Sequence, residues 1–91
     1  MFVVVAYDIP DDRRRAHVAR LLLNYGQRVQ YSVFECDLSP RHYAELRRAL
    51  RGLLRADKDS VRYYTLCRGC VAAVERANSP PVASSPSHYV V

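Results

Sequence analysis

One carboxylate dominates the chemistry open to this chain. Asp8 closes a first segment, Met1 to Tyr7, in which every residue is apolar or aromatic. An ionised group at the end of a buried strand needs a cation, a metal or several hydrogen-bond donors beside it. Candidates follow at once in Ile9-Pro10-Asp11-Asp12 and Arg13-Arg14-Arg15. A strand that ends in Asp and runs into an arginine-rich helix start can hold a divalent ion against a phosphate. The competing, structural reading has Asp8 accepting hydrogen bonds from the amides of the next helix, with Arg14 or Arg15 as ion partner. One carboxylate rarely holds Mg²⁺ without other carboxylates, water or substrate phosphate. The functional reading therefore calls for a second Asp8 across the two-fold axis of a symmetric dimer. Asp11 and Asp12 stand where helix caps and first-turn acids normally stand.

A second constellation is basic. Arg41, Arg47, Arg48, Arg51 and Arg55 fall within about one third of a helical circumference at roughly 100° per residue. Such a ridge suits a row of duplex phosphates and needs no contact with bases. The bland alternative is a solvated face with Glu45 paired to Arg41 or Arg48. One acid among five bases favours phosphate binding. Lys58 is the sole lysine, and guanidinium groups bind phosphate bidentately and resist deprotonation. A GC-rich genome would produce the same bias.

The remaining motifs are weaker. Cys67-Arg68-Gly69-Cys70 has the spacing of half a zinc site or of a redox pair. Only Cys36 remains to complete it, and His17, His42 and His88 show no paired metal-ligand spacing. His17 reads as a surface histidine. No Gly-rich phosphate loop is present, and no Ser-His-Asp arrangement follows from spacing.

Regular elements must position these groups. Phe2–Tyr7 reads as a central strand buried on both faces. Asp11 caps a predicted helix from Asp12 to Tyr25, which Gly26 ends, with Val18, Leu21, Leu22 and Tyr25 as its apolar stripe. From Arg28 to Leu38 the apolar phase changes: Val29, Tyr31 and Val33 alternate, then Phe34, Cys36 and Leu38. That shift requires a bulge or reversal near Ser32 and Val33, and two short strands rather than one. Ser39-Pro40 opens a second helix reaching about Arg55, with Tyr43, Leu46, Leu50, Leu53 and Leu54 on its inner side. Val61–Cys67 is a last core strand, and Arg68 to Asn78 holds at most one helical turn. Ser79–Ser87 reads as a linker without fixed structure, and Tyr89-Val90-Val91 as a short strand for a sheet edge, that of another subunit.

The order strand, helix, strand, strand, helix, strand gives an α+β, ferredoxin-like sandwich, an antiparallel sheet with two helices on one face. Residues 1–78 make that domain, and 79–91 the Pro/Ser-rich linker and C-terminal strand. With 91 residues the core is small, yet 49% of the residues are hydrophobic, which leaves apolar surface for a homodimer. The net charge of +5 points to an acidic partner such as nucleic acid. No apolar run approaches the roughly 20 residues of a membrane span, and the N-terminus lacks a basic leader. Three cysteines without a signal sequence suggest a reducing, cytoplasmic setting.

Two motifs together resemble the CRISPR-associated protein two family, the small partner of the spacer-acquisition integrase. One is Tyr7-Asp8-Ile9 with Asp11-Asp12 and the arginines behind it. The other, far more specific, runs from Gly26 to Cys36 as Gly-Gln-Arg-Val-Gln-Tyr-Ser-Val-Phe-Glu-Cys. The similarity extends over about residues 1 to 67. It implies a ferredoxin-like homodimer whose last strand crosses to the partner's sheet. It also implies that Asp8 faces its symmetry mate and binds Mg²⁺ or Mn²⁺ in members that cut nucleic acid. Tyr7, Arg15, Arg28, Ser32 and Phe34 match positions associated with that site; His17 departs, where some relatives have Arg. Members are described as RNA or DNA endonucleases and as non-catalytic bridges holding a DNA duplex between integrase dimers.

The expectation is a CRISPR adaptation protein that binds duplex DNA with the integrase and is also a metal-dependent endonuclease on RNA or DNA. In it Asp8 holds the metal, Arg15 and Arg28 clamp a phosphate, and Phe34 stacks on a base or walls off the site. Arg14 joins Arg41, Arg47, Arg48, Arg51 and Arg55 as a nucleic-acid contact. The alternatives are a non-catalytic DNA-bridging scaffold and a toxin-like ribonuclease or RNA-binding regulator of the same fold, which would prefer single-stranded RNA.

Overall fold

Valines and aromatics favour a pleated, packed backbone, and they begin the chain with strand β1 (Phe2–Asp8). Then follow α1 (Asp12–Leu23), β2 (Gln27–Gln30), β3 (Val33–Asp37), α2 (Pro40–Leu53), β4 (Ser60–Leu66) and α3 (Arg68–Ala72). This computed structural model describes residues 1–83; the strand expected at Tyr89–Val91 lies outside the described residues. The sheet order is β2-β3-β1-β4, and every pairing is antiparallel. Inward residues Val3, Val5, Tyr7, Phe34 and Cys36 meet Val18 and Leu22 of α1 and Leu46 and Leu50 of α2 in one core. Each fully buried Leu or Phe there contributes about 2–3 kcal/mol of hydrophobic stabilisation. The architecture is the expected ferredoxin-like sandwich. Among the described residues no helix is long and apolar enough to cross a membrane.

Local signals explain the element ends. The Asp11 side chain accepts from the Arg14 N–H at 2.8 Å, and Ser39 Oγ from the His42 N–H at 3.2 Å. Caps of this kind are worth about 1 kcal/mol each. α1 stops at Leu23, short of the expected Tyr25, because Asn24 and Tyr25 donate to the carbonyls three residues back and tighten the last turn. A Cβ on Gly26 would lie 2.2 Å from the Glu35 carbonyl oxygen and 2.5 Å from Cys36 Sγ. Only glycine lets that corner approach β3 so closely. The phase change resolves as anticipated: Tyr31 and Ser32 make a turn, and a register shift between Arg28 and Gln30 forms a bulge.

Three expectations are corrected. α2 ends at Leu53, and Leu54 is extended, so Arg55 has left the helix. β1 is fully buried on the helix side, whereas on the other face Phe2 is buried, Val4 and Ala6 are half-buried and Asp8 is exposed. The segment after α3 folds back along that other face as far as Ala83. There Gln27 Nε2 donates to the Pro81 carbonyl, and the Ala83 N–H donates to Glu35 at 3.3 Å. Residues 79–83 are thus held on the sheet rather than free, because side chains of β2 and β3 supply partners for their backbone.

Candidate nucleic-acid interface

Asp8 ends β1 opposite Ser60 of β4. Side chains alternate along a strand, so Asp8 points away from the face into which Tyr7 packs, and it is exposed. The structural reading of Asp8 fails, because its two proposed cations are engaged elsewhere. Arg14 Nη2 donates to Asp59 at 2.8 Å and its Nε donates to the same carboxylate. Arg15 Nη1 donates to the Ile9 carbonyl at 2.8 Å, and its Nη2 pairs with Asp12. Among the described residues, the Asp8 carboxylate makes no hydrogen bond or ion pair.

Asp59 explains what Arg14 is for. Its side chain is fully enclosed, and it accepts both Arg14 bonds and the Arg55 N–H at 2.8 Å. The hydrogen bond from Arg14 is the main force lowering the Asp59 carboxyl below its usual range. The same bond raises Arg14. Arg14 therefore ties α1 to the loop before β4 and is removed from the predicted nucleic-acid contacts.

The residues matched near the hairpin do come together. Tyr7 N–H donates to the Ser32 carbonyl at 3.1 Å, and Tyr7 Oη to the Tyr31 carbonyl at 3.4 Å. The Tyr7 and Phe34 rings stack with centroids 6.3 Å apart. Phe34 is completely buried, so it cannot stack on a base; its ring is core, and Arg28 lies over it at 5.4 Å. Strand alternation puts this group on the side of the sheet opposite Asp8. Arg28 therefore lies across the sheet from the Asp8 carboxylate, whereas Arg15 reaches the carbonyl of Ile9, the residue after Asp8, at 2.8 Å. Sequence reasoning missed Tyr31. The residue is 68% exposed, with the guanidinium carbons of Arg15 and Arg28 at 5.7 and 6.0 Å from its ring centroid. An aromatic at a hairpin turn was the available signal.

The second-helix arginines remain free. Arg41, Arg47, Arg48 and Arg51 are exposed and form no ion pair among the described residues. The Glu45 pairs expected of a merely solvated face do not form. Arg47 lies over the Tyr43 ring at 4.8 Å, and Tyr43 meets Tyr63 edge-on at 5.9 Å. Arg47, Arg51 and Arg55 border a cleft of about 380 Å³ against Tyr63 and Val61 of β4. Burial chiefly raises the Tyr63 phenol, while Arg47 and Arg51 pull it back. The four-residue spacing of those arginines was the legible sign of that cleft; its far wall came from a distant strand. Arg55, though off the helix, still reaches it, with Asp57 at 4.0 Å as a loose partner.

The family described as CRISPR associated protein Cas2 matches residues 1–74. The chain belongs to the Cas2 family. A protein of Synechocystis sp. named CRISPR-associated endoribonuclease Cas2 3 is 48% identical over 88 residues, covering 97% of this chain and 96% of that protein. The crystal structure of Streptococcus pyogenes Cas2 superposes with a TM-score of 0.77 at 36% identity, covering 86% of this chain and 100% of that one. A chain from a partial Cas6-RT-Cas1–Cas2 complex superposes with a TM-score of 0.74 at 27% identity, covering 92% and 98%. The Cas2 match thus spans the whole sheet, both long helices and α3.

A divalent metal needs more than one such chain offers. The donor chemistry of Asp8 suits Mg²⁺ or Mn²⁺: a hard, exposed oxygen ligand with no competing cation. Among the described residues, however, no group of three Asp, Glu, His or Cys side chains converges. Within the described residues, a site at Asp8 would need further oxygens, such as those of a second Asp8 or a substrate phosphate.

Proposed function

We propose that this chain acts in CRISPR spacer acquisition as a homodimer that grips duplex DNA beside the integrase, with a metal-dependent nuclease centre at its paired Asp8 residues. The observation carrying the binding part is the set of exposed α2 arginines without acidic partners. Their charge is uncompensated by the fold, whereas an anionic backbone would compensate it and release counterions. The integrase partner follows from the likeness to a Cas1–Cas2 assembly.

The cleavage part rests on the unpartnered Asp8 and on relatives named endoribonucleases. Two Asp8 carboxylates from two chains would hold the ion, and the bound ion would supply Lewis-acid activation of water and charge neutralisation. The chain's own contribution is to fix that carboxylate at the end of β1 and leave it exposed, with no partner among the described residues. RNA and DNA are both compatible with such a centre, since neither needs a base contact.

One comparison tests both parts. Arg48→Glu with Arg51→Glu should weaken duplex binding by at least about 100-fold and stop spacer insertion. Asp8→Asn should leave binding within about twofold and abolish Mg²⁺- or Mn²⁺-dependent cleavage of RNA and DNA. Cleavage that persists equally in Asp8→Asn removes Asp8 from the mechanism, and duplex affinity independent of salt removes the phosphate platform.

A further inference from the structure

The pair Cys67 and Cys70 has no place in the proposed function, and its setting differs sharply from that of the third cysteine. Cys36 is completely buried in the core, and burial pushes its thiol up to about 12. Cys67 and Cys70 are both free and exposed. They stand where β4 ends and the chain turns into the segment that folds back over the sheet. Cys67 caps α3, and the Cys70 N–H donates to its sulfur at 3.4 Å.

We infer that Cys67 and Cys70 form a thiol–disulfide site that exchanges with small-molecule disulfides of the glutathione class. Cys67 is the attacking sulfur and Cys70 the resolving one. The geometry favours closure. Residues three apart on a helical turn have Cβ atoms about 5–6 Å apart, and a disulfide needs them about 3.5–4.5 Å apart. Gly69 lies between them, and a Cβ built there meets nothing nearer than Cys67 Sγ at 4.0 Å, so the turn is open on that side.

The two thiols are also unequal in the sense the roles require. Hydrogen bonds from Cys70 lower the Cys67 thiol below its ordinary value, while the bond to Cys67 raises Cys70. A thiolate is the nucleophile in exchange. Zinc is the less suitable occupant, because no third ligand joins the pair among the described residues.

The chemistry balances without any further reagent. The Cys67 thiolate attacks one sulfur of the small disulfide; that S–S bond breaks, one small thiolate leaves, and a mixed disulfide forms. Cys70 gives its proton to solvent, and its sulfur attacks Cys67, expelling the second small thiolate. Two electrons have passed from the cysteine pair to the small disulfide, whose released halves take up two protons. The bond then fixes the turn between β4 and the returning segment.

The test uses the full chain in mixtures of oxidised and reduced glutathione, read by intact mass and by thiol counting before and after denaturation. The expected product is a monomeric chain lighter by two hydrogens, with Cys67 joined to Cys70 and Cys36 still free after unfolding. Cys70→Ser should stop at one glutathione adduct on Cys67. Cys67→Ser should react at least about tenfold more slowly near neutral pH. A bond between chains, loss of all three thiols at equal rates in the native protein, or no adduct on Cys70→Ser would each overturn the assignment. The outcome is independent of DNA binding and cleavage, so it stands apart from the proposed function.

Discussion

Two sets of arginines share this small chain, and the fold treats them oppositely. On α1, Arg14 is clamped by the enclosed Asp59, and Arg15 by Asp12 and the Ile9 carbonyl. On α2, Arg41, Arg47, Arg48 and Arg51 face outward with no ion pair among the described residues. Residue type is the same in both; the difference lies in which acids the tertiary structure brings within reach. A satisfied guanidinium is a structural tie, since drawing it to phosphate would strand a carboxylate. An unsatisfied one is available to a polyanion at little cost. Arginine count alone therefore misstates the interface.

The largest effect should come from the free set. Arg48→Gln with Arg51→Gln removes two charges per chain, and four in the proposed dimer. If each meets one phosphate, the slope of log affinity against log salt should fall by about 0.9 for every phosphate no longer neutralised. Filter binding or fluorescence anisotropy at several salt concentrations measures it. Thermal stability should stay within about 2 °C, as for surface changes without partners. Unaltered slope with lowered stability would mean that the two sets have been assigned the wrong way round.

Next in size is the tied set. Arg14→Ala takes from the Asp59 carboxylate the two guanidinium bonds that tie it to α1 and leaves the Arg55 N–H as its partner, so the melting temperature should drop by a few degrees. Duplex affinity of the folded protein should change less than about threefold. Acid should act on the same tie. The folded Asp59 carboxyl lies below its usual range, so its contribution is fully present above about pH 4, the unfolded carboxylate value. It is lost as pH falls through the lowered folded value. The melting-temperature gap between wild type and Asp59→Asn should accordingly be constant from about pH 5 to neutrality and narrow below about pH 4. A gap that widens in acid would reverse the sign and refute the tie.

Much of this arrangement is legible in the sequence itself. Helical periodicity marks α1 and α2, Asp11 and Ser39 mark their starts, and the phase change marks the reversal at Tyr31 and Ser32. These signals are local, carried by residues within a few positions of one another. The ties are not legible, because Arg14 meets an acid 45 residues away. Chain proximity instead offers Asp8, Asp11 and Asp12 as partners for Arg14 and Arg15, and of these the fold leaves Asp8 with neither. Phe34 is a different case. The resemblance implies a place for it at the site, yet its ring lies fully in the core, as its alternation with Cys36 and Leu38 indicates. Tyr31, in the adjoining turn, takes the exposed position instead.

The smallest expected effect is the most discriminating. Asp12 is well exposed and pairs with Arg15 only three residues on, the geometry of a surface i,i+3 pair. Asp12→Asn should shift the melting temperature by no more than about 1–2 °C. It also frees one side of a guanidinium that stands over the exposed Tyr31 ring. Arg15 keeps its bond to the Ile9 carbonyl, so its position is held while its charge becomes uncompensated. If acids are what silence the α1 set, duplex affinity should rise, by up to about twofold at low salt, and the gain should vanish at high salt. A rise above about tenfold would show that the hairpin side, with Arg15, Arg28 and Tyr31, is itself a main contact surface. The contrast between the helices would then be one of degree, set by a single exposed carboxylate.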